Sequence, residues 1–100
     1  MQRPGDLMGL SESRREIEEI DRMIIKLIDQ RIDIVKRIFE AKRAEGRPIR
    51  DPEREEQVLN QAMDLAAELN LDAGAIKNIF EILIMMSLSK QQELQGRNQG

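Results

Sequence analysis

Residues 13–43 read SRREIEEIDRMIIKLIDQRIDIVKRIFEAKR, and no Gly or Pro interrupts the stretch before Gly46. Ile17, Ile20, Ile24, Leu27, Ile28, Ile34, Val35 and Ile38 recur at the three-and-four spacing of one helix face. Ser13 suits the N-cap, with Glu16 three residues on to complete a capping box. The predicted helix spans about 31 residues, roughly 45 Å at 1.5 Å each. A compact chain of 100 residues measures only about 35 Å across. The helix therefore outruns its own globule and exposes an apolar stripe, for which a second copy of the chain is the natural cover.

On the N-terminal side, Pro4, Gly5 and Gly9 predict a flexible, irregular arm over residues 1–10. On the other side, EGRPIRD (residues 45–51) is a connection. Asp51 then makes a good N-cap, with Pro52 at the first helical position and Glu53 in the first turn. The second helix turns Val58, Ala62, Leu65 and Leu69 inward and ends near Asn70. Asp72 caps a third helix whose face reads Ile76, Ile79, Phe80, Leu83 and Ile84 and which runs to about Leu94. The expectation is an all-α chain of three helices with one domain over residues 11–95 and a frayed tail at 96–100.

Composition narrows the chemistry. The chain has no Cys and no His, which removes disulfides, thiolate nucleophiles, the usual zinc and haem ligands and every His-based triad. Phe39 and Phe80 are the only aromatic residues, and the net charge is −3, so neither a base-stacking platform nor a phosphate-backbone binder is expected. No apolar run reaches 18 residues and the N-terminus lacks a long apolar segment, so a soluble, cytoplasmic protein without membrane attachment is expected. Any reaction must draw on carboxylates, Arg, Lys, Ser, Gln or backbone, with no metal and no cofactor.

Polar residues break the apolar faces at five places. In the first helix Arg31 and Lys42 share the face of Ile24, Leu27, Ile28, Val35 and Ile38, about 16 Å apart along the axis. Arg54 keeps the register of Val58, Ala62 and Leu65. Ser87 and Gln91 stand one turn apart on the face of Phe80 and Leu83. Each has an ordinary explanation by itself: a long cation near a helix end extends its head to water, and a helical Ser bonds back to its own backbone. Met63, Met85 and Met86 read as flexible filling of core or interface. Taken together, cations and amide donors facing inward from three helices call for a negatively charged small molecule between them.

At these residues the chain resembles the all-helical chorismate mutases of the short, monofunctional type. The likeness covers about residues 10–95 and rests on residues 13–43 together with RPIRDPERE (47–55), LNLDAGAIKNIFEILI (69–84) and SLSKQQ (87–92). It implies an intertwined homodimer in which each long helix serves both active sites. It also implies the Claisen rearrangement of chorismate to prephenate, on the route to phenylalanine and tyrosine. Such a unimolecular shift needs no nucleophile, metal or general base. It needs a compact substrate conformer and donors at the ether oxygen, where negative charge grows.

Carried over by position, the resemblance assigns Arg14 of the partner chain and Arg31 to the substrate carboxylates. It assigns Lys42 and Gln91 to the ether oxygen, and Glu55 to the ring hydroxyl with help from the backbone near Asp51. Arg54 and Ser87 complete the polar contacts. Arg14 lies about 25 Å along the helix from Arg31, too far for both to reach one small ligand from a single straight helix. Some family members carry Glu at the position of Gln91. Two other readings remain at this point. One is an isochorismate pyruvate lyase of the same fold, against which Arg50, Asp51 and Glu55 speak together. The other is a non-catalytic helical dimerisation module.

Overall fold

A computed structural model describes residues 4–99, with side chains described for residues 9–97. It contains three α-helices, α1 (Pro4–Ala44), α2 (Pro52–Glu68) and α3 (Ala73–Gln99), and no strand among the described residues. The all-α expectation holds. The chain forms two compact units, Met1–Arg31 and Ile32–Gly100, with the boundary inside α1.

The helix ends follow local chemistry. Asp51 accepts the Arg54 backbone N–H at 3.2 Å through Oδ1, and Pro52 opens α2 where its missing N–H removes no hydrogen bond. Asp72 caps α3 in the same way, through the Ala75 N–H at 3.1 Å. Two helices stop by reversing the backbone into the left-handed region. At Gly46 (φ 68°), Arg47 N–H reaches Lys42 C=O at 2.7 Å and Gly46 N–H reaches Arg43 C=O at 3.2 Å. At Asn70 (φ 57°), Leu71 N–H reaches Ala66 C=O at 2.8 Å and Asn70 N–H reaches Ala67 C=O at 3.2 Å. Both are paired six-to-one and five-to-two closures, which need a residue tolerant of positive φ.

Two boundaries differ from the sequence reading. α1 starts at Pro4, so Ser13 lies within the helix and caps nothing, and the irregular arm expected over residues 1–10 is helical from Pro4 onward. Residues 1–3 lie outside the described residues. Proline at a first helical position is pre-set for the helix, and Gly5 and Gly9 weaken it by only about 1 kcal/mol each. α3 continues past Leu94 to Gln99, for residues 95–99 contain one Gly and no Pro to stop it.

Among the described residues unit one is a single helical segment. Its large apolar side chains Ile17, Ile20, Met23, Ile24, Ile25 and Leu27 are all exposed. Unit two packs α2 against α3 and adds the last turns of α1. Its core is Val35, Phe39, Ala62 and Ala66, with one buried polar residue, Gln91. Phe39 replaces Ile38 as the inward residue of this turn, because Val35, Phe39 and Lys42 form the seam that α1 turns inward. Leu65 and Leu69, expected inward, are exposed in this chain. So are Ile79, Ile82, Met85 and Met86 on α3, whose other face carries half-buried Phe80, Leu83 and Leu88. A helix apolar on more than one side is built to be covered on more than one side.

Candidate active site

Lys42 follows Val35 and Phe39 along the buried seam of α1, near the C-terminus of the helix, where a cation is favoured by the helix dipole. Its ammonium group donates to the Ile49 carbonyl at 2.5 Å and to Gln91 Oε1 at 3.2 Å. The first bond closes the α1–α2 connection back onto the helix it leaves. The second joins residues 49 positions apart.

Gln91, 4% exposed, is deep for so polar a side chain. Burial of an amide is tolerable only when its polar atoms are paired. Here Oε1 accepts from Lys42, while Nε2 donates to the Ser87 carbonyl at 3.4 Å. No buried side-chain nitrogen or oxygen lacks a partner among the described residues. An ammonium has three N–H bonds and a primary amide two. After these contacts, one hydrogen of Lys42 and one of Gln91 remain for a further acceptor. Two donors from groups 3.2 Å apart can serve a single oxygen.

Ser87 is half-buried one turn before Gln91, and its hydroxyl donates to the Leu83 carbonyl at 3.0 Å. That is the ordinary back-bond of a helical Ser.

Glu55 lies on the first turn of α2, with a side chain 19% exposed. Arg50 grips it as a fork: Nε donates to Oε2 at 3.3 Å and Nη2 to Oε1 at 3.2 Å. The hydrogen bonds to Glu55, and after them its charge, raise the Arg50 pKa above an already high ordinary value. Arg50 is therefore a cation under all working conditions. Asp51 is half-buried and occupied as the α2 cap.

Arg54 departs from expectation. It is exposed, and its Nη1 donates to Gln57 Oε1 at 3.4 Å on its own helix. Its register matches Val58 and Ala62, yet at the first turn of α2 that position is exposed. Arg14 and Arg31 belong to unit one, Arg14 exposed and Arg31 half-buried. The structure thus brings Lys42 and Gln91 into contact and sets Ser87 beside them on α3, while Glu55 pairs with Arg50. Sequence reasoning assigned no site role to two groups in these contacts. The Ile49 carbonyl is backbone and leaves no residue-type signal. The Arg50 fork spans the helix cap at a separation of five residues, a spacing that no helical periodicity marks.

Comparison with known proteins gives a consistent result. Residues 13–93 match the family described as chorismate mutase type II. The chain is 41% identical over 93 residues to a chorismate mutase of Methanocaldococcus jannaschii, covering 89% of this chain and 94% of that protein. It is 35% identical to a bifunctional chorismate mutase/prephenate dehydratase of Buchnera aphidicola subsp. Acyrthosiphon pisum, over 81% of this chain and 21% of that protein. The bifunctional protein of the same description from Escherichia coli strain K12 is 31% identical, over 81% of this chain and again 21% of its own length. The chain thus spans nearly all of the Methanocaldococcus jannaschii relative and about a fifth of the bifunctional ones.

Proposed function

This chain belongs to the chorismate mutase type II family, and from that premise we propose that it rearranges chorismate to prephenate in an active site shared between two copies. The enzyme is an isomerase: the ether C–O bond breaks as a C–C bond forms, and no atom is gained or lost. The protein has two tasks. It holds the flexible dicarboxylate in its compact, chair-like conformer, and it stabilises the negative charge that grows on the ether oxygen.

The observation that carries this reading is the Lys42–Gln91 contact at 3.2 Å with Gln91 4% exposed. Lys42 and Gln91 donate their remaining hydrogens to the ether oxygen. Because the donors are already held by Ile49, Ser87 and each other, little reorganisation is needed as charge develops. Glu55 accepts the ring hydroxyl, next to the α2 cap at Asp51. Arg31 and Ser87 contact the substrate's polar groups. Arg14 and Arg54 reach a carboxylate only once a second chain is in place, which fits their exposure in the single chain.

The second chain is supported by the apolar side chains that this one leaves in water. Ile17, Ile20, Met23, Ile24, Ile25 and Leu27 are exposed on unit one, and Ile82, Met85 and Met86 on α3 of unit two. Fully burying such a side chain is worth about 1.5–3 kcal/mol, and these are 40–66% exposed, so covering each contributes a share of that. An intertwined homodimer covers them and supplies Arg14 to its neighbour's site.

Among the described residues no helix is long and apolar enough to cross a membrane. The lyase reading is not favoured, because Arg50, Asp51 and Glu55 are present together and Glu55 is held in place. Incubation with chorismate and, separately, isochorismate, followed by NMR, tests the proposal. Prephenate from chorismate is expected. Pyruvate from isochorismate as the main product would overturn it.

A further inference from the structure

We propose that Arg50 is a positioning residue for Glu55, its guanidinium fork fixing the carboxylate in the orientation from which it accepts the substrate's ring hydroxyl. The inference rests on the role given above to Glu55 and extends it to a residue that reaches the substrate only through Glu55.

The backbone around Arg50 is pinned on both sides. Ahead of it, the Ile49 carbonyl accepts from Lys42 at 2.5 Å. Behind it, Asp51 caps α2 through the Arg54 N–H at 3.2 Å, and its own carbonyl accepts the Glu55 N–H at 3.0 Å. Arg50 therefore projects from a fixed point toward a side chain on a fixed turn. Its two bonds, 3.3 Å from Nε and 3.2 Å from Nη2, fall on different carboxylate oxygens. A two-point contact fixes the plane of the carboxylate as well as its place.

Exposure shows which partner serves which. The Arg50 side chain is 69% exposed and that of Glu55 is 19% exposed. The arginine closes the carboxylate from the solvent side. An ionised carboxylate has about four acceptor positions, and the fork takes one on each oxygen. One on each oxygen is left for a hydroxyl. An exposed ion pair adds little to folding stability, so loss of activity on its removal would not reflect loss of the fold. The Lys42–Ile49 bond also joins the donor side of the site to this acceptor side through a single connection.

The test is a double-mutant cycle on the full-length protein: Arg50→Gln, Glu55→Gln and the double variant, with Arg50→Lys alongside. Each is measured by steady-state chorismate turnover and by circular dichroism melting. We expect Arg50→Gln to lower kcat/KM by about tenfold, a reasonable effect for a substrate-contacting group misplaced by a fraction of an ångström. In the Glu55→Gln background the same change should lower it by less than about twofold, because nothing is left to position. Arg50→Lys keeps the charge without the fork and should stay nearer Arg50→Gln than wild type. Equal losses in both backgrounds, full recovery with Lys, or Arg50→Gln at wild-type activity would overturn the positioning role. Failure of the underlying reading looks different: Glu55→Gln would then itself retain wild-type kcat/KM.

Discussion

At Lys42 one ammonium group ties the end of its own helix to the Ile49 carbonyl and to Gln91 on α3. Removing such a preorganised donor from a developing oxyanion typically costs about 3–4 kcal/mol of transition-state stabilisation, a factor of hundreds or more. Lys42→Ala should lose at least that much in kcat while its far-ultraviolet circular dichroism stays helical; a variant within about tenfold of wild type would remove the assigned role. Gln91 makes a separate prediction through pH. Its amide donates without titrating, so activity should stay flat through neutral pH. In Gln91→Glu the carboxyl donates only while protonated. Its activity should be present at acid pH and fall as pH rises through the carboxyl pKa, which a pH–rate profile would record. Flat activity in the variant would place the ether oxygen elsewhere. The inward placement of these two residues was legible because each interrupts an apolar register, and packing leaves Gln91 buried and Lys42 half-buried. Arg54 interrupts one too, but a register names a helix face without saying what covers it. At the first turn of α2 the Arg54 side chain is exposed.

The helices end where the backbone can reverse, and those ends set the contacts of the candidate site. The six-to-one closure at Gly46 directs the chain into the connection that delivers Ile49 to Lys42 and Arg50 to Glu55. A Cβ at Gly46 would meet nothing within 4 Å, so substitution there is penalised by backbone conformation alone. Gly46→Ala should destabilise the protein by about 1–2 kcal/mol, measured as a lower denaturation midpoint with an unchanged slope. Asp72→Ala, which removes the α3 cap far from the proposed chemistry, should destabilise by about 1 kcal/mol and leave kcat unaltered. Asp51, Pro52, Gly46 and Asp72 were all legible from residue type, because caps and reversals depend on a few atoms nearby. The start of α1 was not. Serine inside a helix is unfavourable by only a few tenths of a kcal/mol relative to good formers, so Ser13 imposed no boundary and the helix ran on from Pro4. Phe39 was overlooked for a related reason. Ile34, Val35, Ile38 and Phe39 are all apolar, and only packing decides which of them turns inward.

Across the whole molecule the apolar side chains exceed what one chain buries. That excess was legible early, from a helix too long for its chain, and it reappears as exposed Ile24 and Leu27 on unit one and exposed Ile82 and Met85 on unit two. Which residues of a second chain would meet this one is not legible from the sequence, since an apolar register names the helix face to be covered without naming what covers it. Ile24→Glu places a charge on the face proposed to be shared. It should shift the protein to monomers in sedimentation and lower activity by more than about tenfold, because the neighbour's Arg14 is then missing. The most direct measurement is subunit complementation. Arg14→Ala and Lys42→Ala chains, each nearly inactive alone, are mixed in equal amounts in denaturant and refolded together. In a mixed dimer with Arg14 donated across the interface, one site carries both lesions and the other none. Half of the dimers are mixed, so activity should return to about a quarter of wild type. Activity no higher than that of the parent variants would contradict a site built from Lys42 and Gln91 of one chain and Arg14 of the other.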